Sequence, residues 1–302
     1  MSRVAIIGVG QSEFVRAYPG SVRELAFEGF KDAMRDARLT AKDIGASVVC
    51  SAPEYDKQRS PAGVFAEYLG LNPQPTFYVE SLCSSSSMGL RLAYSLVKSG
   101  LHDVVAVIGF QKMSEISSAD SQERMGRGAD IQWESPFGTM MPAYYAMYAR
   151  AHMAAYGTSL EDLALIRVKA ATYGQLNDKA IYRKPVTLEN LSNPADRMAG
   201  PVASPLRVGD CCANADGSSC VIVASEEKAK AFEKRMDAMG DEIETKVEAR
   251  AKKLEPLAQA MWQPYQQPSG MPWVNCLIQV VLSILWPSAW LPYWKFITGS
   301  RS

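Results

Sequence analysis

Short apolar runs alternate with amphipathic stretches from residue 1 to about residue 230, and few architectures can satisfy that alternation. Val4–Val9 is a continuous apolar run ended by Gly10, the pattern of a strand buried on both faces. Val22 to Ala37 reads as an amphipathic helix, with Leu25, Ala26, Gly29, Ala33 and Ala37 on one side and Ser21 as its cap. Ser47–Ser51 is a second short strand. Pro61–Leu69 is a helix with proline at the favoured first position and Gly70 past its end. Thr76–Val79, a helix running to Ser99 and Val104–Gly109 complete another β-α-β unit. The pattern predicts an α/β layered domain with a mostly parallel sheet.

A long excursion interrupts the sheet. Met113 to Gly128 is polar, and Trp133 to Pro142 is loop-like. Ala143–Tyr156 and Leu160–Tyr173 are predicted helices separated by Gly157-Thr158-Ser159. Residues 174–210, with Pro185, Pro194, Pro201 and Pro205, read as irregular. The sheet resumes at Ser219–Ala224, after an Ala215-Asp216-Gly217 turn. Insertions of this size between strands of one sheet usually cover a functional site.

Composition excludes several classes of function. The 32 basic and 32 acidic residues balance, so no field favours nucleic acid or an anionic membrane. The cysteines at 50, 83, 211, 212, 220 and 276 show neither a CxxC pair nor a metal-ligand rhythm. With His102 and His152 the only histidines, no metal site is expected. No disulfide framework is expected in a chain of this length, and the N-terminus lacks a secretory signal, so a cytoplasmic location fits. Gly8-Val9-Gly10 begins like a dinucleotide fingerprint, but Glu13 stands where the third glycine belongs, against a pyrophosphate. Cys211 and Cys212 read as packing residues, and His152 as a structural residue on its helix.

Cys83 lies in Val79-Glu80-Ser81-Leu82-Cys83-Ser84-Ser85-Ser86-Ser87-Met88, between a strand and a helix. Met88, Leu92 and Leu96, with Ala93 and Val97 beside them, recur at helical spacing after it. Unpaired N–H groups and the helix dipole favour a thiolate at such a junction, and the serines offer caps and little bulk. Taken alone, a cysteine there is more often a small buried hydrophobe than a nucleophile.

The surrounding segments decide between the two. Val4-Ala5-Ile6-Ile7-Gly8-Val9-Gly10, Val79-Glu80-Ser81-Leu82-Cys83, Tyr156-Gly157-Thr158-Ser159-Leu160-Glu161-Asp162-Leu163-Ala164, Pro205-Leu206-Arg207 and Ala215-Asp216-Gly217 resemble, in order and spacing, the N-terminal half of the thiolase superfamily. The likeness is nearest the archaeal and sterol-carrier-protein types. It implies a layered α-β-α half over residues 1–232, with a loop-domain insertion at about 112–205. It further implies that Cys83 is acylated by an acyl-CoA, before Claisen condensation or in thiolytic cleavage. Met140 and Met141 become candidates for lining the acyl pocket. Coenzyme A thioesters would be substrates, with no tightly bound cofactor, and assembly would be a homodimer or tetramer built through this half. Ser84 to Ser87 depart from the family, which commonly has small residues and glycines after the nucleophile.

A larger departure follows residue 230. The family's second half supplies a histidine and a Cys or His motif, yet no histidine follows His152, and the surroundings of Cys276 do not resemble that motif. Residues 233–260 read as a charged helix with i,i+4 pairs such as Glu242–Lys246 and Glu248–Lys252. Residues 261–302 form a tail rich in tryptophan and proline, holding five of the six tryptophans. That tail admits three readings: a segment lying in a membrane interface, a cover for the face a second half would bury, or a frameshifted reading frame. General acid–base groups contribute about 100- to 10,000-fold each, so without them Cys83 can still be acylated while full turnover by this chain alone is not expected. The alternatives are a non-catalytic acyl-CoA-binding or scaffold subunit, completed by a partner polypeptide, and a truncated gene product.

Overall fold

The computed structural model describes residues 3–52, 58–138 and 140–235, with Thr245 and Ala249 beyond them. The chain divides into two units, 1–234 and 235–302. Almost all of the predicted charged helix at 233–260, and the whole tail at 261–302, lie outside the described residues.

In chain order, the first unit runs β1 (Val4–Gln11), α1 (Val22–Asp36), β2 (Ala46–Cys50), α2 (Pro61–Tyr68), β3 (Thr76–Val79), α3 (Ser85–Lys98) and β4 (Val104–Lys112). The insertion then contributes α4 (Ser118–Gly126), α5 (Met141–Tyr156), α6 (Leu160–Gly174), α7 (Leu188–Ser192), β5 (Pro201–Ala203) and β6 (Leu206–Arg207), before β7 (Asp216–Ser225) returns to the sheet. Residues 226–235 are helical.

The sheet has the order β1-β7-β4-β2-β3. β2 pairs in parallel with β3 and β4, while β7 runs antiparallel to both β1 and β4. Four of the five strands therefore share one direction, and the sheet is mostly parallel as predicted. α1 and α2 cover one face, where Phe30, Ala33, Phe65, Ile108 and Ile222 bury one core. α3 covers part of the other face over Val48, Val105, Val107 and Val223. β2 and β4 are buried on both faces, which explains their unbroken apolar runs.

Local chemistry sets α1. The Ser21 hydroxyl accepts from the Glu24 N–H, and the Glu24 carboxylate accepts from the Ser21 N–H at 2.6 Å, a capping box. These bonds hold the Glu24 carboxyl below its ordinary pKa. The buried stripe of α1 includes Leu25, Ala26, Gly29 and Ala33, the face expected from the spacing.

Gly8 and Gly10 are packing glycines. A Cβ on Gly10 would stand 2.2 Å from both the Gly29 carbonyl oxygen and the Ala33 nitrogen, so α1 touches β1 backbone to backbone. Neither contact can relax by turning a side chain. Gly10→Ala should destabilise the fold by about 3 kcal/mol, near the top of the overpacking range, as read by urea denaturation. A loss below about 1 kcal/mol would contradict this contact.

The outer edge of β1 is partly covered by side chains. Asp36 accepts from the Val9 N–H at 2.9 Å. Lys179 donates to the Gln11 carbonyl and, at 2.6 Å, to Asp32. The Lys179 hydrogen bond lowers the Asp32 pKa.

Two expectations about the insertion and its return need correction. Ala215-Asp216-Gly217 is not a turn before the last strand, because Asp216 already begins β7 and exchanges both backbone hydrogen bonds with Val15. The fully buried Asp216 carboxylate accepts from the Tyr18 N–H, the Ser114 N–H and the Ser114 hydroxyl, at 2.7, 2.9 and 2.5 Å. Gly217 lies under the Phe14 ring, where a Cβ would be 2.6 Å from the nearest ring carbon. The polar stretch after Met113 includes α4, capped by Ser117, and residues 174–210 contain α7 and the β5–β6 hairpin. Arg207 organises this region. Its guanidinium donates to Asp210 at 2.9 and 3.1 Å, to the Leu191 carbonyl at 3.0 Å and to the Leu160 carbonyl at 2.9 Å.

Candidate functional site

β3 ends at Val79, and a one-turn 3-10 helix, Leu82–Ser84, leads directly into α3. Cys83 occupies the middle of that turn and is exposed. The residue before it, Leu82, has φ +47°, a left-handed conformation that costs a branched side chain about 1–3 kcal/mol.

Nearby polar groups hold this conformation. Glu80 accepts from the Leu82 N–H at 2.7 Å. The Ser85 hydroxyl accepts from the Ser81 N–H at 2.9 Å and donates to the Leu82 carbonyl at 2.7 Å, so one buried side chain grips both sides of the strained residue. Ser84 closes back on Ser81, its N–H and hydroxyl both reaching the Ser81 carbonyl. The serines were expected to cap the helix, yet Ser84 at the N-cap makes no side-chain capping bond. They brace the turn instead. Ser86 shows why small residues are needed, because a Cβ on Gly109 of β4 would lie 2.6 Å from its hydroxyl.

α3 sits close to the sheet. A Cβ on Gly89 would be 2.2 Å from Cys50 Sγ, and the buried stripe runs Ser85, Gly89, Ala93, Leu96. Met88, expected on this stripe, lies outside it and is 46% exposed. The first turn of α3 thus stands at a fixed height above β2 and β4. Among the described residues, neither the Cys83 thiol nor its N–H makes a hydrogen bond.

The insertion reaches this turn. A Cβ on Gly128 would stand 2.4 Å from Leu82 Cδ1 and 3.5 Å from Met141 Cε, so Gly128 fills a slot between the turn and the start of α5. Met141 is therefore brought beside the residue preceding Cys83. Met140 is the N-cap of α5 and 40% exposed, with no described contact to the Cys83 turn. Glu80, Leu82 and Gly128 were not singled out from sequence, and Ser85 was read only as one of the capping serines. Only the strand-to-helix change signalled the turn, and a leucine gives no hint of positive φ.

The histidines lie elsewhere. His152 is exposed on α5, its Nδ1 2.9 Å from the Thr158 hydroxyl and its ring against Tyr156, which fits the structural role expected of it. The His102 N–H reaches the Leu96 carbonyl at the end of α3.

The other cysteines differ from Cys83 in access. Burial pushes the Cys50 thiol up to about 12, and Cys220 is raised further by the same cause. Cys211 is half-buried and raised by desolvation first and then by Asp210. Cys212 is exposed, contrary to its expected packing role, because its loop runs over the surface before β7. Native-state alkylation with iodoacetamide, followed by peptide mass spectrometry, should therefore mark Cys83 and Cys212 first and spare Cys50 and Cys220 until urea is added. Equal labelling of Cys50 and Cys83 in the folded chain would contradict the buried position of Cys50.

Residues 4–177 match the model of the thiolase N-terminal domain, and this match covers more than half of the chain. The chain belongs to the thiolase family. An acetyl-CoA acetyltransferase of Methanocaldococcus jannaschii is 38% identical over 239 residues, covering 78% of this thiolase chain and 59% of the relative. Sterol carrier protein 2 of Oryctolagus cuniculus is 26% identical, covering 77% of the chain and 43% of the relative. Among solved structures, an Ltp2-ChsH2(DUF35) aldolase superposes with a TM-score of 0.63 at 28% identity, covering 75% of the chain and 56% of its counterpart. The thiolase chain thus spans about three-fifths or less of the length of these relatives. Among the described residues, no group of His, Cys, Asp and Glu is placed to hold a metal ion, and no helix is long and apolar enough to cross a membrane.

Proposed function

We propose that this chain carries the acyl-accepting centre of a thiolase-type acyltransferase acting on coenzyme A thioesters. The observation that carries the reading is an exposed cysteine on a braced, left-handed turn at the start of a helix. The Cys83 thiolate attacks the thioester carbonyl carbon, and the tetrahedral intermediate collapses to acyl-Cys83. Coenzyme A leaves as a thiolate and takes up the proton that Cys83 gave to solvent. The product is again a thioester, still activated towards a carbanion or a second thiol. The unpaired Cys83 N–H, two residues before α3, serves the developing oxyanion. Met141, and Met140 beside it, line the path of the acyl chain.

Condensation or thiolysis also needs groups that move protons at the second substrate. Neither described histidine reaches Cys83, so on this reading the chain acylates by itself but turns over only with a partner polypeptide or a second domain. The neighbour whose printed name joins Ltp2 to ChsH2(DUF35) supports an arrangement with two proteins. Coenzyme A thioesters enter as substrates with no tightly bound cofactor, and assembly is a homodimer or tetramer through this half. The free cysteines among the described residues support a reducing, cytoplasmic setting.

The test is transfer of an acetyl group from acetyl-CoA to the full chain, followed by intact mass and peptide mapping. Binding of coenzyme A without any acylation of Cys83 would replace this reading with a binding or scaffold role.

A further inference from the structure

The peptide planes on either side of Leu82 are pinned differently. The plane joining Ser81 to Leu82 is held at both ends. Glu80 accepts from the Leu82 N–H at 2.7 Å, while the Ser84 N–H and hydroxyl reach the Ser81 carbonyl at 3.0 and 2.8 Å. These anchors keep Leu82 at φ +47°. The next plane joins Leu82 to Cys83. Its carbonyl end takes two donors from one residue, the Ser85 N–H and, at 2.7 Å, the Ser85 hydroxyl. Its N–H end, that of Cys83, has no partner among the described residues.

A trans peptide is planar, so its carbonyl and its N–H point in opposite directions and turn together. The cis bonds lie elsewhere, at Asn72-Pro73 and Ser204-Pro205. Fixing the Leu82 oxygen towards Ser85 therefore fixes the Cys83 N–H away from it. A single donor lets the plane swing about one bond, whereas two donors occupy both lone pairs of the oxygen and hold its direction. The hydroxyl is itself held. It accepts from the Ser81 N–H at 2.9 Å, which leaves its own proton for Leu82. Ser85 is 4% exposed and is the only buried one of the four serines after Cys83, so water competes little for these bonds. An oxyanion donor is effective only when it is aimed in advance at the place where charge develops.

We propose that Ser85 is a positioning residue for acyl transfer: its hydroxyl pins the Leu82 carbonyl and thereby aims the Cys83 N–H at the acyl oxygen. In that step the sulfur–carbon bond forms as the carbonyl π pair moves onto oxygen, and the leaving group departs with its bonding pair as the π bond returns. Ser85 acts through the peptide plane and takes no proton. The assignment rests on the acyltransferase reading for the identity of the reaction alone.

Two reagents separate aiming from folding. 4-Nitrophenyl acetate acylates a thiolate through a tetrahedral oxyanion and expels 4-nitrophenolate, whereas iodoacetamide alkylates it by displacing iodide, with no oxyanion formed. Peptide mass spectrometry of the full chain follows both reactions at Cys83 across a range of pH, so that rates are compared at equal thiolate fraction. Ser85→Ala should slow acylation about 10- to 100-fold, less than outright deletion of an oxyanion donor, and leave alkylation within about threefold of wild type. Ser85→Thr, which keeps a hydroxyl, should recover most of the acylation rate. Equal losses with the two reagents in Ser85→Ala, or no loss with either, overturn the proposal. So does a folded Ser85→Thr that is as slow as Ser85→Ala. A wild-type chain that alkylates at Cys83 but takes no acetyl group from the ester overturns it too. The ester needs no coenzyme A, so normal ester acylation without transfer from acetyl-CoA would count against the proposed function and leave Ser85 in its role.

Discussion

Replacing Cys83 with alanine is expected to abolish acetyl transfer from acetyl-CoA to the chain. The wild-type protein should gain one acetyl group at Cys83, and Cys83→Ala should show at least a 1,000-fold slower gain, on the order of removing an attacking nucleophile. The variant should remain folded, since Cys83 is exposed and makes no hydrogen bond among the described residues. Its unfolding free energy, read from urea denaturation, should stay within about 0.5 kcal/mol of wild type. Cys212 is the internal control. It is also exposed, but its loop belongs to no braced strand-to-helix turn. Acetylation of Cys212 at the wild-type rate in Cys83→Ala would show that exposure alone governs the reaction and would sink the nucleophile assignment.

The largest loss of stability should follow Asp216→Ala. Asp216 is fully buried, and its carboxylate is the acceptor for two backbone N–H groups and one hydroxyl. Removing it leaves all three donors without this acceptor. Each hydrogen bond to a charged group contributes about 1.5–3 kcal/mol, so a net loss of about 4 kcal/mol or more is expected even after partial relaxation. That is a large share of an ordinary domain's total stability. Asp216→Asn should fall between the two, because its amide NH2 must face at least one of these donors. Urea denaturation of the three proteins gives the comparison, and a cost below about 1 kcal/mol for Asp216→Ala would contradict the network. The variant should also loosen the loop of Val15, Arg16 and Tyr18.

Asp216 also shows why part of the fold was hidden in the sequence. Asp-Gly is turn chemistry when neighbours are unknown. Here distant donors at Tyr18 and Ser114 occupy the carboxylate, and the Phe14 ring explains the glycine, so the same dipeptide extends a strand. α1 was legible because its cap and its buried stripe are both local. α4 was not, because only Ser121 and Gly126 of its residues are buried and a polar helix carries little period. At the site, the position of Cys83 could be read from the strand and helix on either side. The left-handed Leu82 and the Gly128 slot could not, since both depend on chain brought back by the insertion.

The groups seated on β1 have a further consequence for how sheets of this kind can grow. An open strand edge is a template on which another chain can polymerise. Asp36 and Lys179 already occupy the Val9 N–H and the Gln11 carbonyl, while β3, at the opposite edge, pairs among the described residues only with β2. A sheet with one blocked edge and one free edge can be joined once. Addition of a further strand is therefore open at β3 and obstructed at Val9 and Gln11 of β1. Asp36 and Lys179 thus guard part of one sheet edge against the addition of a strand.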